Sequence, residues 1–134
     1  MLDRWDWNQF STNTFRHDVH PEKADRLWHV WISMMNRRLY GHRWWKHGKG
    51  LYWCRVTELQ QRGAIHFHGL LGGDRADTLD SSRWAAEWFR LAGIARMEKP
   101  NSKDAVQNYV TKYIVRGGEI DFGGPLMLTQ RSLR

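Results

Sequence analysis

Glu58-Leu-Gln-Gln-Arg-Gly-Ala-Ile-His66-Phe-His68 decides how the chain is read, because folded as a β-hairpin it gathers a carboxylate and two imidazoles on one surface. His66 and His68 are two residues apart, and in a strand such side chains point to the same face. Gln61-Arg62-Gly63 suits a three-residue hairpin loop, with Gly63 in the left-handed conformation that glycine adopts without strain. That loop sets Gln60 opposite Ala64 and Glu58 opposite His66, so Glu58, His66 and His68 can share a metal ion. The other face carries Leu59, Ile65 and Phe67, which are core residues in character. Packing alone does not call for a hairpin that is apolar on one side and Glu/His/His on the other.

Working outward, alternation and turn residues predict strands at about residues 7–15, 51–59, 64–71, 94–98 and 119–122. Helices are expected at about residues 22–40, 81–92 and 103–116. Pro21 opens the first helix where its missing amide is harmless, and Gly93 and Gly117 stop the other two. The order β-α-β-β-α-β-α is that of an α+β, split βαβ (ferredoxin-like) fold. It implies an antiparallel sheet, helices on one face, and the metal-binding hairpin at the centre. Residues 1–122 are expected to form the single domain and residues 123–134 a C-terminal tail, or the start of a truncated segment.

The 134-residue chain carries 21 Lys and Arg against 14 Asp and Glu, a formal charge of +7 with a pI near 10.0. That excess favours a polyanionic partner. Nine tryptophans in so short a chain narrow the partner to single-stranded nucleic acid, which is gripped by cations on phosphates and flat rings on bases. Arg43, Trp44, Trp45, Lys46 and Lys49, in the glycine-punctuated segment 41–50, are candidates for that grip, as are Arg62 and Arg116. The competing role of the two tryptophans is as a lid on the core. One cysteine, Cys54, excludes an internal disulfide framework and reads as a small buried residue. No apolar run approaches the ~20 residues of a membrane span, so a cytoplasmic protein without membrane contact is expected.

The third helix contains Asn108-Tyr109-Val110-Thr111-Lys112-Tyr113-Ile114-Val115-Arg116. Helical phase predicts an apolar stripe of Val106, Val110 and Ile114, with Tyr113 beside it as a packing residue. It turns Tyr109 toward Lys112 and Arg116 as the solvent-facing, cation-flanked phenol. A phenol ionises near pH ~10 and needs a cation or metal to attack at neutral pH. The chemistry implied is transesterification of a phosphodiester by tyrosine.

His66-Phe67-His68, with Glu58 upstream and Tyr109-x-x-Lys112 about forty residues later, resembles the motifs of the HUH endonucleases, the rolling-circle initiators of plasmids and single-stranded DNA viruses. Phe10-Ser-Thr-Asn-Thr-Phe15 is similar to that family's first motif. The resemblance implies metal-dependent nicking of a single-stranded, hairpin-bearing DNA origin, leaving a 5′-phosphotyrosine. By position it makes Glu58, His66 and His68 ligands of Mn²⁺ or Mg²⁺, Tyr109 the nucleophile and Lys112 the residue that orients the scissile phosphate. Tyr113, followed by Arg116 where a second lysine would match, is a candidate second nucleophile. The chain has no Gly-x-x-x-x-Gly-Lys-Ser/Thr, so a separate helicase and polymerase are implied; a viral protein would act in the host cell or its nucleus. Two other readings compete: a non-catalytic single-strand-binding module and a tyrosine transposase with the same chemistry. A two-histidine, one-carboxylate oxygenase suits the basic, Trp-rich composition less well.

Overall fold

The computed structural model describes residues 6–61 and 63–124. Residues 125–134 of the expected tail lie outside the described residues. Five strands, β1 (Trp7–Asn13), β2 (Tyr52–Leu59), β3 (Ile65–Gly72), β4 (Ala95–Glu98) and β5 (Glu119–Gly123), form one sheet in the order β4-β1-β3-β2-β5. Every pairing is antiparallel. β1 and β2 both pair with β3 and so run parallel to each other, and α1 (Pro21–Tyr40) connects them, which is the split βαβ arrangement. α2 (Ser81–Leu91) links β3 to β4, and α3 (Lys103–Val115) links β4 to β5.

Local chemistry explains the helix bounds. α1 starts at Pro21 with the His20 ring accepting from the Glu22 amide, and ends at Gly41, whose φ of 94° takes the chain out of the helix. Asp80 caps α2 by accepting from the Ser82 and Arg83 amides, and Ser102 caps α3 by accepting from that of Ala105. The segment after α1 is not wholly irregular: Trp44–His47 make one 3-10 turn.

α1 and α2 lie on one face of the sheet. Trp28, Trp31, Met35, Trp84 and Trp88 pack there on Trp53, Ile65, Phe67 and Leu71 from the strands. Trp28, Trp31 and Trp88 are fully buried, and at ~25 cal/mol per Å² over roughly 200 Å² each contributes on the order of 5 kcal/mol before its entropy cost. Gly69 makes the close approach of α1 feasible, since a Cβ there would meet the Trp28 ring at 2.6 Å and the Ser11 hydroxyl at 2.8 Å. Arg55 is buried in the same layer, against the Phe67 ring and ion-paired with Asp25 of α1 and Asp121 of β5.

The expectation that all helices share one face is corrected here. α3 covers the opposite face, where Ala105, Val106, Tyr109 and Tyr113 pack with Phe10, Tyr52, Cys54, Val56, Leu70 and Phe122. The reason is steric. The α1 and α2 tryptophans already fill the first face, and a segment leaving edge strand β4 for edge strand β5 must cross the sheet on the free side.

Candidate active site

The hairpin has the expected register. Glu58 pairs with His66 and Val56 with His68, the Gln60 amide donates to the Ala64 carbonyl at 2.8 Å, and Gly63 has a φ of 77°. Strand alternation therefore puts Glu58, His66 and His68 on one face, the face that α3 covers. Arg62, at the turn, lies outside the described residues.

His68 is buried, and its Nε2 lies 3.3 Å from Glu58 Oε1. Burial pulls its pKa below the ordinary histidine value, opposed by the hydrogen bond and charge of Glu58. The ring is thus held neutral, with a lone pair to offer. Its Nδ1 is buried without a hydrogen-bond partner. The amide of Gln60 donates to Glu58 Oε1 at 2.6 Å and lies 3.3 Å from His66 Nδ1. One nitrogen donor thus occupies the point on which the Glu58 and His66 acceptors converge. Among the described residues no three His, Cys, Asp or Glu side chains stand open as a metal cage. A carboxylate and two imidazoles are nevertheless donor types that could hold a divalent ion.

α3 supplies the phenols, in a phase that differs from the one the apolar stripe predicts. Tyr113 stacks on the His68 ring with centroids 3.5 Å apart and planes 11° from parallel. Tyr109, expected to face solvent, is instead stacked on Phe10 at 4.4 Å. Its hydroxyl donates to the Ser11 carbonyl at 2.7 Å and lies 3.1 Å from the Thr12 hydroxyl. Burial raises the Tyr109 pKa well above the ordinary phenol value, against a smaller lowering by Thr12. Tyr113 is raised as well, by burial and then by Glu58, with Arg116 opposing. The phase differs because two aromatic rings cover more of the sheet than Ile114 would, and Ile114 is left 43% exposed.

Lys112 Nζ lies 5.4 Å from the Tyr113 ring centroid, and Arg116 Nη1 is 3.7 Å from Glu58 Oε2. Both cations therefore border the site. Arg43, Trp44, Trp45, Lys46 and Lys49 do not, because their segment packs beside α1 on the other side of the sheet. Trp45 is 62% exposed and Trp44 half-buried, so the pair does not act as a buried lid. Sequence reasoning missed Gln60, although it shares the strand parity of Glu58. Phe10, Ser11 and Thr12 were marked only as part of a first motif; that they hold Tyr109 was not read, because it depends on where α3 packs.

Among the described residues no helix is long and apolar enough to cross a membrane. No curated protein and no solved structure matches the chain. Residues 8–117 match the family of the replication-associated protein ORF2, a match consistent with a Rep-type rolling-circle initiator domain. It runs from β1 past the end of α3 and so takes in the hairpin, both tyrosines and the whole face just described. By that match over most of its length, the chain belongs to the replication-associated protein ORF2 family.

Proposed function

We propose that this replication-associated chain initiates rolling-circle replication as a metal-dependent nickase and strand transferase acting on single-stranded DNA at an origin, through a 5′-phosphotyrosine. The observation that carries the reading is Tyr113 stacked on His68, on the face that also presents Glu58 and His66. A single-strand-binding module needs charge and aromatic rings but has no use for a phenol seated on a carboxylate–histidine surface.

Glu58, His66 and His68 would hold the ion, Mn²⁺ or Mg²⁺, which when bound polarises a phosphate oxygen and offsets developing charge. The tyrosine oxygen bonds to phosphorus as the bond from phosphorus to the 3′ oxygen breaks. The phenolic proton passes to solvent, and the departing oxygen takes up a proton to become a 3′-hydroxyl. Lys112 and Arg116, at the rim, neutralise the phosphate. Rejoining is the same step reversed, by attack of a 3′-hydroxyl on the phosphotyrosine.

The first attack falls to Tyr113, because the Tyr109 hydroxyl is engaged by Ser11 and Thr12 and must break those bonds before it can react. Tyr109 then serves as the second nucleophile. Unwinding and synthesis belong to a separate helicase and polymerase. Wild-type protein incubated with labelled single-stranded origin DNA and Mn²⁺ should give an SDS-resistant adduct, lost on chelation and in His68→Ala. Tyr113→Phe should lower the first-turnover rate at least about 100-fold, since outright loss of a nucleophile can cost on the order of 10⁶, and Tyr109→Phe far less. The opposite ranking would assign the attack to Tyr109, and binding with no adduct on any origin sequence would leave only a binding module.

A further inference from the structure

α1 and α2 carry a feature that the catalytic face does not use. Between them and the Trp44–His47 turn runs a groove of about 900 Å³, lined by Arg26, Arg37 and Arg38 from α1, Arg83 from α2, and Trp44. All four arginines are exposed, and among the described residues none has an acidic partner. Of the acids nearby, Asp25 faces Arg55 at 2.9 Å, and Glu87, the one carboxylate in the lining, faces Arg90 at 3.7 Å through one oxygen while the other is buried without a partner, which leaves four guanidinium groups against one carboxylate. Helix electrostatics account for Arg37 and Arg38, which complement the C-terminal end of α1. They do not account for Arg83, in the first turn of α2, where a cation opposes the dipole. The floor is largely apolar, with Val30 45% exposed, Met34 beside it and the half-buried Trp44 at its edge.

The geometry points to a second single-stranded DNA site, on the helical layer and on the opposite side of the sheet from Glu58, His66 and His68, that holds strand outside the catalytic face. Guanidinium forks match phosphate oxygens two at a time, and an apolar floor with tryptophan faces takes bases without reading them. An acidic protein would satisfy the charge but has no need of the ring faces. Trp44 belongs to this surface and also borders the adjoining groove that Trp45 and Lys49 line, so that part of the segment lies beside the site and remote from the chemistry. The inference rests on the proposed reading of the chain as a single-stranded DNA enzyme.

The test is fluorescence anisotropy of a fluorescein-labelled oligodeoxythymidine of about 30 nucleotides, long enough for two sites of the usual ~4–16 nucleotides, in EDTA so that no cleavage occurs. Arg26→Ala/Arg37→Ala/Arg38→Ala should weaken binding at least about 10-fold and reduce the slope of log K against log salt by about 2, since each single-strand phosphate contact contributes ~0.7. Arg83→Ala, on the other helix, should move both quantities the same way by a smaller amount. Both variants should retain wild-type melting temperatures and adduct yield at saturating DNA. Unchanged affinity and salt slope in the triple variant would overturn the proposal and leave the groove to an acidic protein. Absence of adduct in the wild type would instead overturn the enzyme reading, with the binding comparison unaffected.

Discussion

Gln60 follows the last residue of β2, and its amide nitrogen sits where the acceptors of Glu58 and His66 converge. A cation entering that place must displace the amide and break its hydrogen bond to the carboxylate. Such a bond to a charged group is worth roughly 1.5 kcal/mol net, and tenfold in affinity is about 1.4 kcal/mol. Gln60→Ala should therefore bind Mn²⁺ about tenfold more tightly than wild type by isothermal titration calorimetry, an increase visible without DNA or turnover. Weaker binding in the variant would show instead that the amide turns over and offers its carbonyl oxygen as a ligand. The register of this hairpin was legible in the sequence because Gly63 and the period-two alternation fix it together; the side-chain contact of Gln60 was not, since parity gives a face and not a rotamer.

The most legible elements were those whose bounds depend on local chemistry. Pro21 starts α1 where its missing amide is harmless, and all five strands lie within two residues of their expected bounds, whereas the Asp80 cap emerged only with the structure. The side of the sheet that α3 covers was not legible, because nothing within residues 103–115 records that α1 and α2 have filled the other face. The phase of α3 was hidden for a related reason: Val106 of the expected stripe is buried on apolar strand residues, but toward the end of the helix the surface beneath holds His68, and Tyr113 covers it in place of Ile114. The observed phase has a measurable consequence. Ile114→Ser should change unfolding free energy by no more than about 0.5 kcal/mol, as for most exposed positions. Val106→Asp, at a site 7% exposed in the packed layer, should cost at least ~2 kcal/mol, from lost burial and from confining a carboxylate among apolar groups. Urea titrations of the two variants decide it, and a large loss in Ile114→Ser would restore the stripe of Val106, Val110 and Ile114.

Across the whole molecule, several weak acids with raised pKa values are spread over both layers. On the α1 side the Tyr40 hydroxyl donates to the Asp74 carbonyl, and burial, with Asp74 adding, pushes its pKa from 10.0 up to about 12. Burial, with Asp121 adding, pushes the Cys54 thiol on the α3 side from 9.0 up to about 12. Tyr52, Tyr109 and Tyr113 are raised as well, each chiefly by burial. All five groups are neutral when protonated, so the folded state holds its protons at pH values where the unfolded chain has released them. A raised folded pKa contributes stability that is fully present below the unfolded pKa and is lost as pH rises through the folded one. The window is therefore alkaline, opening at the unfolded value of 9.0 for Cys54 and 10.0 for the phenols and extending to about 12 for Cys54 and Tyr40. Because the five contributions have the same sign and come from both faces of the sheet, they should act on the global transition and not on one frayed element. The urea midpoint should hold steady from pH 7 to 8.5 and then fall continuously above pH ~9.5, with tyrosinate absorbance near 295 nm appearing together with unfolding. A midpoint unchanged at pH 11, or phenols that titrate freely at pH 10 in protein that is still folded, would mean that these hydroxyls are more open to water than their contacts with Asp74, Asp6 and Ser11 imply.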